Sequence, residues 1–183
     1  MQSELIEKIK LQKKIPIIGK VSPLDITNTF NNLIKKNFDI IEITLRAPEA
    51  LQSAVMIKKN YPNAIIGIGS IKTLDMLKEA SKYKFNFYVS PGLNENIIEY
   101  ANSKNLNFVP GVSTPSEIMQ AIEHKKTILK YFHAERNGGV KSLETLYEIF
   151  DNIKFMPTGG ITLQNYSDYL DLPNVISVGS TKF

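Results

Sequence analysis

The sequence predicts an α/β protein whose fold is a (β/α)8 barrel, the TIM barrel. Short apolar segments with strand composition recur every 20 to 26 residues, and amphipathic segments of helical length separate them. No stretch with the composition of a linker interrupts this alternation. Parallel strands joined by helices close into such a barrel, whose active site lies at the carboxyl ends of the strands. We therefore expect one barrel domain that spans residues 1–183.

Eight segments have the length and composition of strands, which is the number that this barrel requires. They are residues 15–18, 40–44, 64–68, 87–89, 107–109, 128–131, 154–156 and 175–178. Each segment ends at residues suited to a turn or to chemistry. These exits are Gly19-Lys20, Arg46, Gly69-Ser70, Ser90-Pro91, Pro110-Gly111, Phe132-His133, Pro157 to Gly160 and Gly179-Ser180.

Three threonines indicate where helices begin. Thr73 and Thr162 each precede an amphipathic segment, and a threonine hydroxyl can accept a hydrogen bond from the first free amides of a helix. Thr114 is followed by Pro115 and Glu117, the spacing of a capping box. These positions support the alternation of strands and helices.

The two ends of the chain make the expected barrel a short one. An amphipathic helix over residues 2–13 precedes the first strand, and the chain ends at Phe183, a few residues after the eighth strand. The helix that follows the eighth strand in a complete barrel is missing from the sequence. Either the N-terminal helix and a neighbouring subunit close the barrel, or the chain is a truncated member of its class.

A doubly wound open sheet is the alternative fold. The segment Gly67-Ile68-Gly69 follows a strand, as the dinucleotide-binding fingerprint does. The third glycine of that fingerprint is absent, so the sequence does not favour a nucleotide cofactor.

Composition excludes several classes of function. Hydrophobic residues make up 43% of 183 residues, yet no apolar run is long enough to span a membrane, and the charged N-terminus does not resemble a signal peptide. We therefore expect a soluble, cytoplasmic protein that binds no membrane. With no cysteine and two histidines, we expect no disulfide, no metal and no bound cofactor. The net charge of +4 comes from scattered lysines, which predicts a solvated surface rather than a nucleic-acid site.

Lys130 lies in the apolar strand segment 128–131, which is an unusual place for an ammonium group. Burial of a charged amine is costly, and it lowers the pKa of a lysine toward the range in which the neutral amine attacks a carbonyl. Lys130 is therefore a candidate Schiff-base former. Strand alternation places Phe132 on the same face, as an apolar wall above the amine.

A second strand has the same polar character. In residues 40–46, Glu42, Thr44 and Arg46 share one face because side chains alternate along a strand. They form either a buried structural ion network or, together with Lys130, part of an active site. The same parity places Ser70 at the rim beyond the third strand.

Glycine-rich exits follow the seventh and eighth strands. Thr158, Gly159 and Gly160 follow the seventh, and Gly179 with Ser180 follows the eighth. Glycine lets the backbone approach an anion closely, and barrels of this type bind phosphate at these two exits. Ordinary turns are the alternative.

These segments resemble the family of 2-keto-3-deoxy-6-phosphogluconate and 4-hydroxy-2-oxoglutarate aldolases. The matching motifs occur in the family's order along essentially the whole chain. They are IEITLR (41–46), GIGS (67–70), SPGL (90–93), VPGVSTPSE (109–117), LKYFHAERNGGV (129–140), PTGGI (157–161) and VGS (178–180).

The resemblance implies a metal-free class I aldolase that assembles as a homotrimer. It implies that Lys130 forms the Schiff base, that Glu42 is the general acid and base, and that Arg46 and Ser70 hold the carboxylate of pyruvate. The phosphate end of the substrate would contact Thr158, Gly159, Gly160 and Ser180, and the remaining substrate-binding residues would be Pro91, Phe132 and Gly179. The implied partners are a small keto acid and a phosphorylated aldehyde.

The chain departs from the family at three positions near this site. Ser70 replaces a usual threonine, His133 a usual proline and Arg136 a usual small residue. His133 and Arg136 lie in the loop beside Lys130. The resemblance therefore predicts the reaction type more directly than the substrate preference. A phosphate-binding isomerase or synthase, or a non-catalytic sugar-acid-binding descendant, are the alternative functions. Lys20 is the alternative nucleophile, since it also follows a strand.

Overall fold

The computed structural model of the chain describes residues 3–19 and 22–183, so Lys20 lies outside the described residues. Helices and strands alternate along the chain. The helices are α1 Ser3–Gln12, α2 Pro23–Lys35, α3 Ala50–Asn60, α4 Leu74–Ser81, α5 Glu95–Ser103, α6 Pro115–Glu123, α7 Gly139–Ile149 and α8 Tyr166–Leu170. The strands are β1 Lys14–Ile18, β2 Ile40–Thr44, β3 Ile65–Gly69, β4 Phe87–Val89, β5 Phe108–Val109, β6 Gly111–Val112, β7 Ile128–Tyr131, β8 Lys154–Phe155 and β9 Val178–Ser180.

All strand pairs are parallel, as helical crossovers require. Six strands pair in the order β5, β4, β3, β2, β1, β9, and three pair in the order β6, β7, β8. Only Pro110 separates β5 from β6, and its carbonyl accepts a hydrogen bond from the Lys130 amide. Two isolated bridges join β8 and the loop after it to the segment 175–180, which contains β9. They pair Phe155 with Val175 and Thr158 with Gly179. The predicted α/β fold is therefore confirmed as a curled parallel sheet.

Apolar side chains fill both faces of this sheet. The outer faces of the strands pack against the helices in two large clusters, one around Phe30 and Ile41 and one around Leu129 and Phe155. A third cluster joins side chains from widely separated strands to Leu5 and Ile9 of α1. Because Ile15 and Ile40 near the starts of their strands belong to it, α1 covers the amino ends of the strands. The carboxyl ends stay open for a site.

The expected helix starts at Thr73 and Thr114 are confirmed. The Thr73 hydroxyl accepts from the Met76 amide, and Thr114 forms the full capping box with Glu117. The expectation at Thr162 was wrong, because α8 begins four residues later at Tyr166. Thr162 instead belongs to a turn, where its amide donates to Asn165 Oδ1 and its hydroxyl accepts from the Gln164 amide.

The eighth strand also differs from the prediction. We expected it at residues 175–178, but the ladder with β1 covers Val178–Ser180, and Val175 makes only one isolated bridge. The apolar run 175–178 is buried throughout, so composition alone did not show which part of it pairs. The shift brings Ser180 into the strand itself.

Among the described residues, no helix is both long and apolar enough to cross a bilayer.

Candidate active site

A cavity of about 480 Å³ opens at the carboxyl ends of the strands. Side chains from β1, β2 and β7 and loops after β3, β4, β8 and β9 line it. Every site residue predicted from the sequence lies on its wall: Glu42, Arg46, Ser70, Pro91, Lys130, Phe132, Thr158, Gly159, Gly160, Gly179 and Ser180. The fold therefore brings these residues together from six places in the sequence.

Lys130 and Glu42 form a buried ion pair at the base of this cavity. Lys130 is 7% exposed and Glu42 is 3% exposed, and Nζ lies 3.4 Å from Oε1. The two strands that carry them are separated by 88 positions in the sequence. A buried charged pair adds little to stability compared with apolar packing, so this arrangement points to chemistry.

Gly69 provides the space that the Glu42 carboxylate occupies. Gly69 lies opposite Thr44 in the ladder between β3 and β2, and a Cβ at Gly69 would overlap the Glu42 Oε1. Any larger residue would push the carboxylate away from Lys130. Gly69 is therefore a positioning residue that the sequence patterns did not single out.

Arg46 is anchored at the rim by the neighbouring polar side chain on its own face. Its Nε donates to Thr44 Oγ1 over 3.1 Å, and the Thr44 hydroxyl donates to the Ile18 carbonyl over 3.0 Å. The outer guanidinium nitrogens are not used in these bonds. Arg46 can therefore present a bidentate pair of donors to a carboxylate.

Three further residues shape the cavity around the amine. The Phe132 ring centroid lies 5.4 Å from Lys130 Nζ, which fits the apolar wall predicted from strand parity. Ser70 adopts a φ of 62°, in the left-handed region that few residues other than glycine occupy. Pro91 is held by Ser90, whose hydroxyl donates to the Gly92 carbonyl and accepts from the Gly111 amide.

The loop after β8 contributes Gly159, Gly160 and Ile161 to the cavity wall. Gly159 and Gly160 have φ values of 101° and 80°, which are accessible to glycine but strained for other residues. The amides of Gly159, Gly160 and Ile161 donate to no acceptor within residues 3–19 and 22–183. Unpaired amides on a glycine turn form a concave site for an anion.

The exit of β9 supports this loop. A Cβ at Gly179 would lie 2.6 Å from Thr158 Oγ1, so the two exits pack closely. The Ser180 hydroxyl donates to the Ile161 carbonyl over 2.6 Å and accepts from the Lys182 amide over 3.0 Å. Ser180 thereby fixes the position of the amide-bearing loop.

A buried phenol supports the loop from below. The Tyr169 hydroxyl donates to Glu135 Oε1, and Glu135 packs where a side chain at Gly160 would otherwise be. Burial, together with the hydrogen bond to Glu135 and its negative charge, raises the pKa of Tyr169 well above its ordinary value. Tyr169 therefore remains a donor, and it binds one oxygen of the Glu135 carboxylate.

Some lining residues were not predicted as site residues. Lys72 and Lys182 lie on the cavity wall, two or three positions beyond the ends of β3 and β9, and His133 lies there beside Phe132. A search for basic residues just after each strand would have found both lysines. Arg136, although it is in the same loop as His133, is exposed and does not line the cavity.

The charge of the cavity favours an anionic ligand. Among the described lining residues, four are basic (Arg46, Lys72, Lys130 and Lys182) and one, Glu42, is acidic. Within the same part of the chain, no three histidine or carboxylate side chains lie close enough to hold a metal ion.

A buried lysine beside a carboxylate, at the mouth of a curled parallel sheet, is the arrangement of enzymes that form Schiff bases with carbonyl substrates. Comparison with known proteins gives the family. The sequence model described as "KDPG and KHG aldolase" matches residues 5–183. The chain therefore belongs to the KDPG and KHG aldolase family and is an aldolase, an aldehyde-lyase.

Similar proteins support this assignment. A 2-dehydro-3-deoxy-phosphogluconate aldolase of Haemophilus influenzae is 33% identical over 180 residues, which cover 98% of this chain and 85% of the relative. The solved KDPG aldolase of Legionella pneumophila, which holds pyruvate as a covalent carbinolamine intermediate, superposes with a TM-score of 0.93 at 28% identity, covering 99% of this chain and 87% of its own. The Zymomonas mobilis enzyme with 3-phosphoglycerate has a TM-score of 0.91 at 29% identity, covering 96% and 84%.

Proposed function

We propose that the chain is a class I aldolase that reversibly cleaves 2-keto-3-deoxy-6-phosphogluconate to pyruvate and glyceraldehyde 3-phosphate, or 4-hydroxy-2-oxoglutarate to pyruvate and glyoxylate. The observation that carries this proposal is the buried pair of Lys130 and Glu42, 3.4 Å apart in one cavity. Lys130 is the nucleophile and Glu42 the general acid and base. A phosphate-binding isomerase or a sugar-acid-binding protein would not need this pair.

The reaction begins when the neutral Lys130 amine adds to the C2 ketone of the substrate. Glu42 lies close enough to Nζ to accept the proton that the amine must lose. The resulting carbinolamine loses water and becomes an iminium, which is an acceptor for electrons. The covalent carbinolamine in the Legionella pneumophila relative corresponds to this first adduct.

Cleavage then breaks the bond between C3 and C4. Glu42, directly or through a water molecule, removes the proton of the C4 hydroxyl as the aldehyde forms. The electron pair of the broken bond moves to the iminium and leaves an enamine. Glu42 returns a proton to C3, and water hydrolyses the new iminium to release pyruvate and free Lys130.

Arg46 and Ser70 orient the keto acid in this scheme. The outer guanidinium nitrogens of Arg46 bind the pyruvate carboxylate bidentately, and the Thr44 hydroxyl holds the guanidinium in place. Orientation of this kind fixes the ketone in reach of the amine. Phe132 excludes water from the face of the adduct.

The aldehyde end of the substrate binds at the loop after β8 and at the end of β9. The free amides of Gly159, Gly160 and Ile161 are suited to a phosphate group. Thr158, Gly179 and Ser180 complete the wall on that side. The 3-phosphoglycerate in the Zymomonas mobilis relative supports a phosphorylated aldehyde as the partner.

The finer architecture is part of the same proposal. Ladders and bridges connect neighbouring strands from β1 round to β9 and back to β1. With β5 and β6 counted as one strand, this pairing supports a closed eight-stranded barrel formed by one domain. Assembly as a homotrimer and a cytoplasmic location remain predictions from the resemblance and the composition.

Reductive trapping tests the nucleophile. The protein is incubated with pyruvate and borohydride, and its peptides are mapped by mass. The adduct is expected on the peptide that contains Lys130, and Lys130→Ala should abolish labelling while Lys20→Ala should not. An adduct on Lys20, or no adduct on active protein, would contradict the proposed chemistry.

Comparison of the two substrates then decides which aldehyde the enzyme releases. Cleavage of 2-keto-3-deoxy-6-phosphogluconate and of 4-hydroxy-2-oxoglutarate is measured in parallel, with and without a chelator. Iminium formation needs no Lewis acid, so the chelator should not change either rate. A rate lost with the chelator and restored by a divalent ion would contradict the Schiff-base scheme.

A further inference from the structure

His133 lies on the cavity wall immediately after Phe132, at the end of the strand that carries Lys130. The centroids of its ring and of the Phe132 ring are 5.3 Å apart. The His133 side chain thus borders the passage from the amine to the glycine loop. Its role goes beyond the catalytic pair and the loop amides already described.

The imidazole rests against the glycine loop because that loop has no side chain at two successive positions. A Cβ at Gly159 would lie 2.6 Å from His133 Cγ and 2.8 Å from Nδ1, and a Cβ at Gly160 would lie 3.6 Å from Cε1. The ring therefore occupies the space beside the same backbone whose amides are unpaired. Any anion bound by those amides has the imidazole as a neighbour.

The two ring nitrogens of His133 differ in their surroundings. Nδ1 is buried and has no hydrogen-bond partner among the described residues. Nε2 makes no hydrogen bond in the described part of the chain, yet it is not among the buried atoms without a partner. A buried N–H group without an acceptor is rarer than a buried acceptor without a donor, so the proton of the neutral ring belongs on Nε2. Nε2 is then a donor that has no acceptor among the described residues.

We propose that His133 is a specificity residue, whose Nε2–H donates a hydrogen bond to the phosphate of the aldehyde part of the substrate. This inference rests on the proposed aldolase function and adds to it the choice between phosphorylated and unphosphorylated substrates. The donor acts together with the free amides of Gly159 and Gly160. Lys182, on the same cavity wall, adds positive charge, and the nearby Glu135 carboxylate is engaged by Tyr169.

The test compares three variants of His133 with the native enzyme. For each, kcat/KM is measured for 2-keto-3-deoxy-6-phosphogluconate and for 2-keto-3-deoxygluconate, and the ratio of the two values is the readout. Phenylalanine keeps the ring but has no donor. Glutamine can place an amide nitrogen where Nε2 lies, whereas asparagine can place one only where the buried Nδ1 lies.

The ratio should fall roughly tenfold to a hundredfold in His133→Phe and His133→Asn, because a hydrogen bond to a charged group is lost. In His133→Gln it should stay within about threefold of the native value, since that donor is retained. His124→Phe is the matched control, because His124 caps α6 and does not line the cavity, and it should leave the ratio unchanged.

The outcomes separate this inference from the proposed function. If the native protein is not labelled by pyruvate and borohydride, the aldolase proposal itself fails. If it is labelled but His133→Phe keeps the native ratio of the two kcat/KM values, His133 does not bind the phosphate. If His133→Gln loses as much as His133→Phe, the residue acts through packing and the donor role is overturned.

Discussion

The two ends of the cavity recognise a substrate by different means. At the proposed keto-acid end, the chemistry is assigned to charged side chains on the regular strands β2 and β7, where Lys130 and Glu42 are both buried. At the proposed aldehyde end, the backbone of a glycine loop and the imidazole of His133 line the cavity. The first end depends on which side chains are present, and the second on which side chains are absent.

This difference bears on how each end tolerates change. A strand side chain can be replaced without altering the backbone, so its loss should affect the chemistry and not the shape of the site. A loop that depends on positive φ values and close approach changes shape when a side chain is added. Substitutions at the keto-acid end should therefore affect every substrate, while those at the aldehyde end should affect phosphorylated substrates most.

The largest effect is expected for Glu42→Gln. Glutamine keeps the size of the side chain but cannot accept or return a proton, so kcat should fall roughly 10²- to 10⁴-fold for both substrates. Stopped assays of pyruvate release measure this loss, and circular dichroism checks the fold. A variant with kcat near the native value would assign proton transfer to another group.

A smaller effect is expected for Arg46→Lys. A lysine ammonium is a point charge that cannot form the two parallel hydrogen bonds of a guanidinium, so kcat/KM should fall roughly tenfold to a hundredfold for every 2-keto acid. Arg136→Lys provides the matched control, since this exposed residue is the other arginine of the chain and does not line the cavity. Native kinetics in a folded Arg46→Lys variant would indicate that Arg46 belongs to a structural ion network and does not bind the substrate.

The smallest and most selective effect is expected for Gly159→Ala. The added methyl group would approach His133 and would require a φ of 101°, so the loop should shift. We expect kcat/KM for the phosphorylated substrate to fall roughly tenfold, with a smaller loss for 2-keto-3-deoxygluconate. Gly92→Ala is the control, because nothing lies within 4 Å of a Cβ at that position. Equal losses for both substrates would show that the two ends of the cavity are not independent.

Much of the keto-acid end could be predicted from the sequence. An ionisable residue inside an apolar strand can be recognised from the sequence alone. Strand parity predicted that Thr44 and Arg46 share a face, and their hydrogen bond agrees with that prediction. The capping box at Thr114 was equally clear because all of its parts lie within four residues. Local patterns of this kind are complete in the sequence itself.

The starts of β9 and α8 were harder to predict. The run 175–178 is apolar except for Ser177, and only its neighbour β1 determines that the ladder begins at Val178. Thr162 had the residue type of a helix cap, but the turn that it forms with Asn165 delays the helix to Tyr166. In both cases several local structures suited the same residues, and contacts with other elements selected one.

Periodicity and residue type were enough to predict the alternation of strands and helices, the candidate nucleophile Lys130 and the polar face of β2. Tertiary structure alone decided that Lys130 lies 3.4 Å from Glu42 across 88 positions, that Gly69 leaves room for that carboxylate, and that His133 packs on Gly159. The physical reason is that distances between strands and the space beside a glycine depend on packing, which no residue specifies alone.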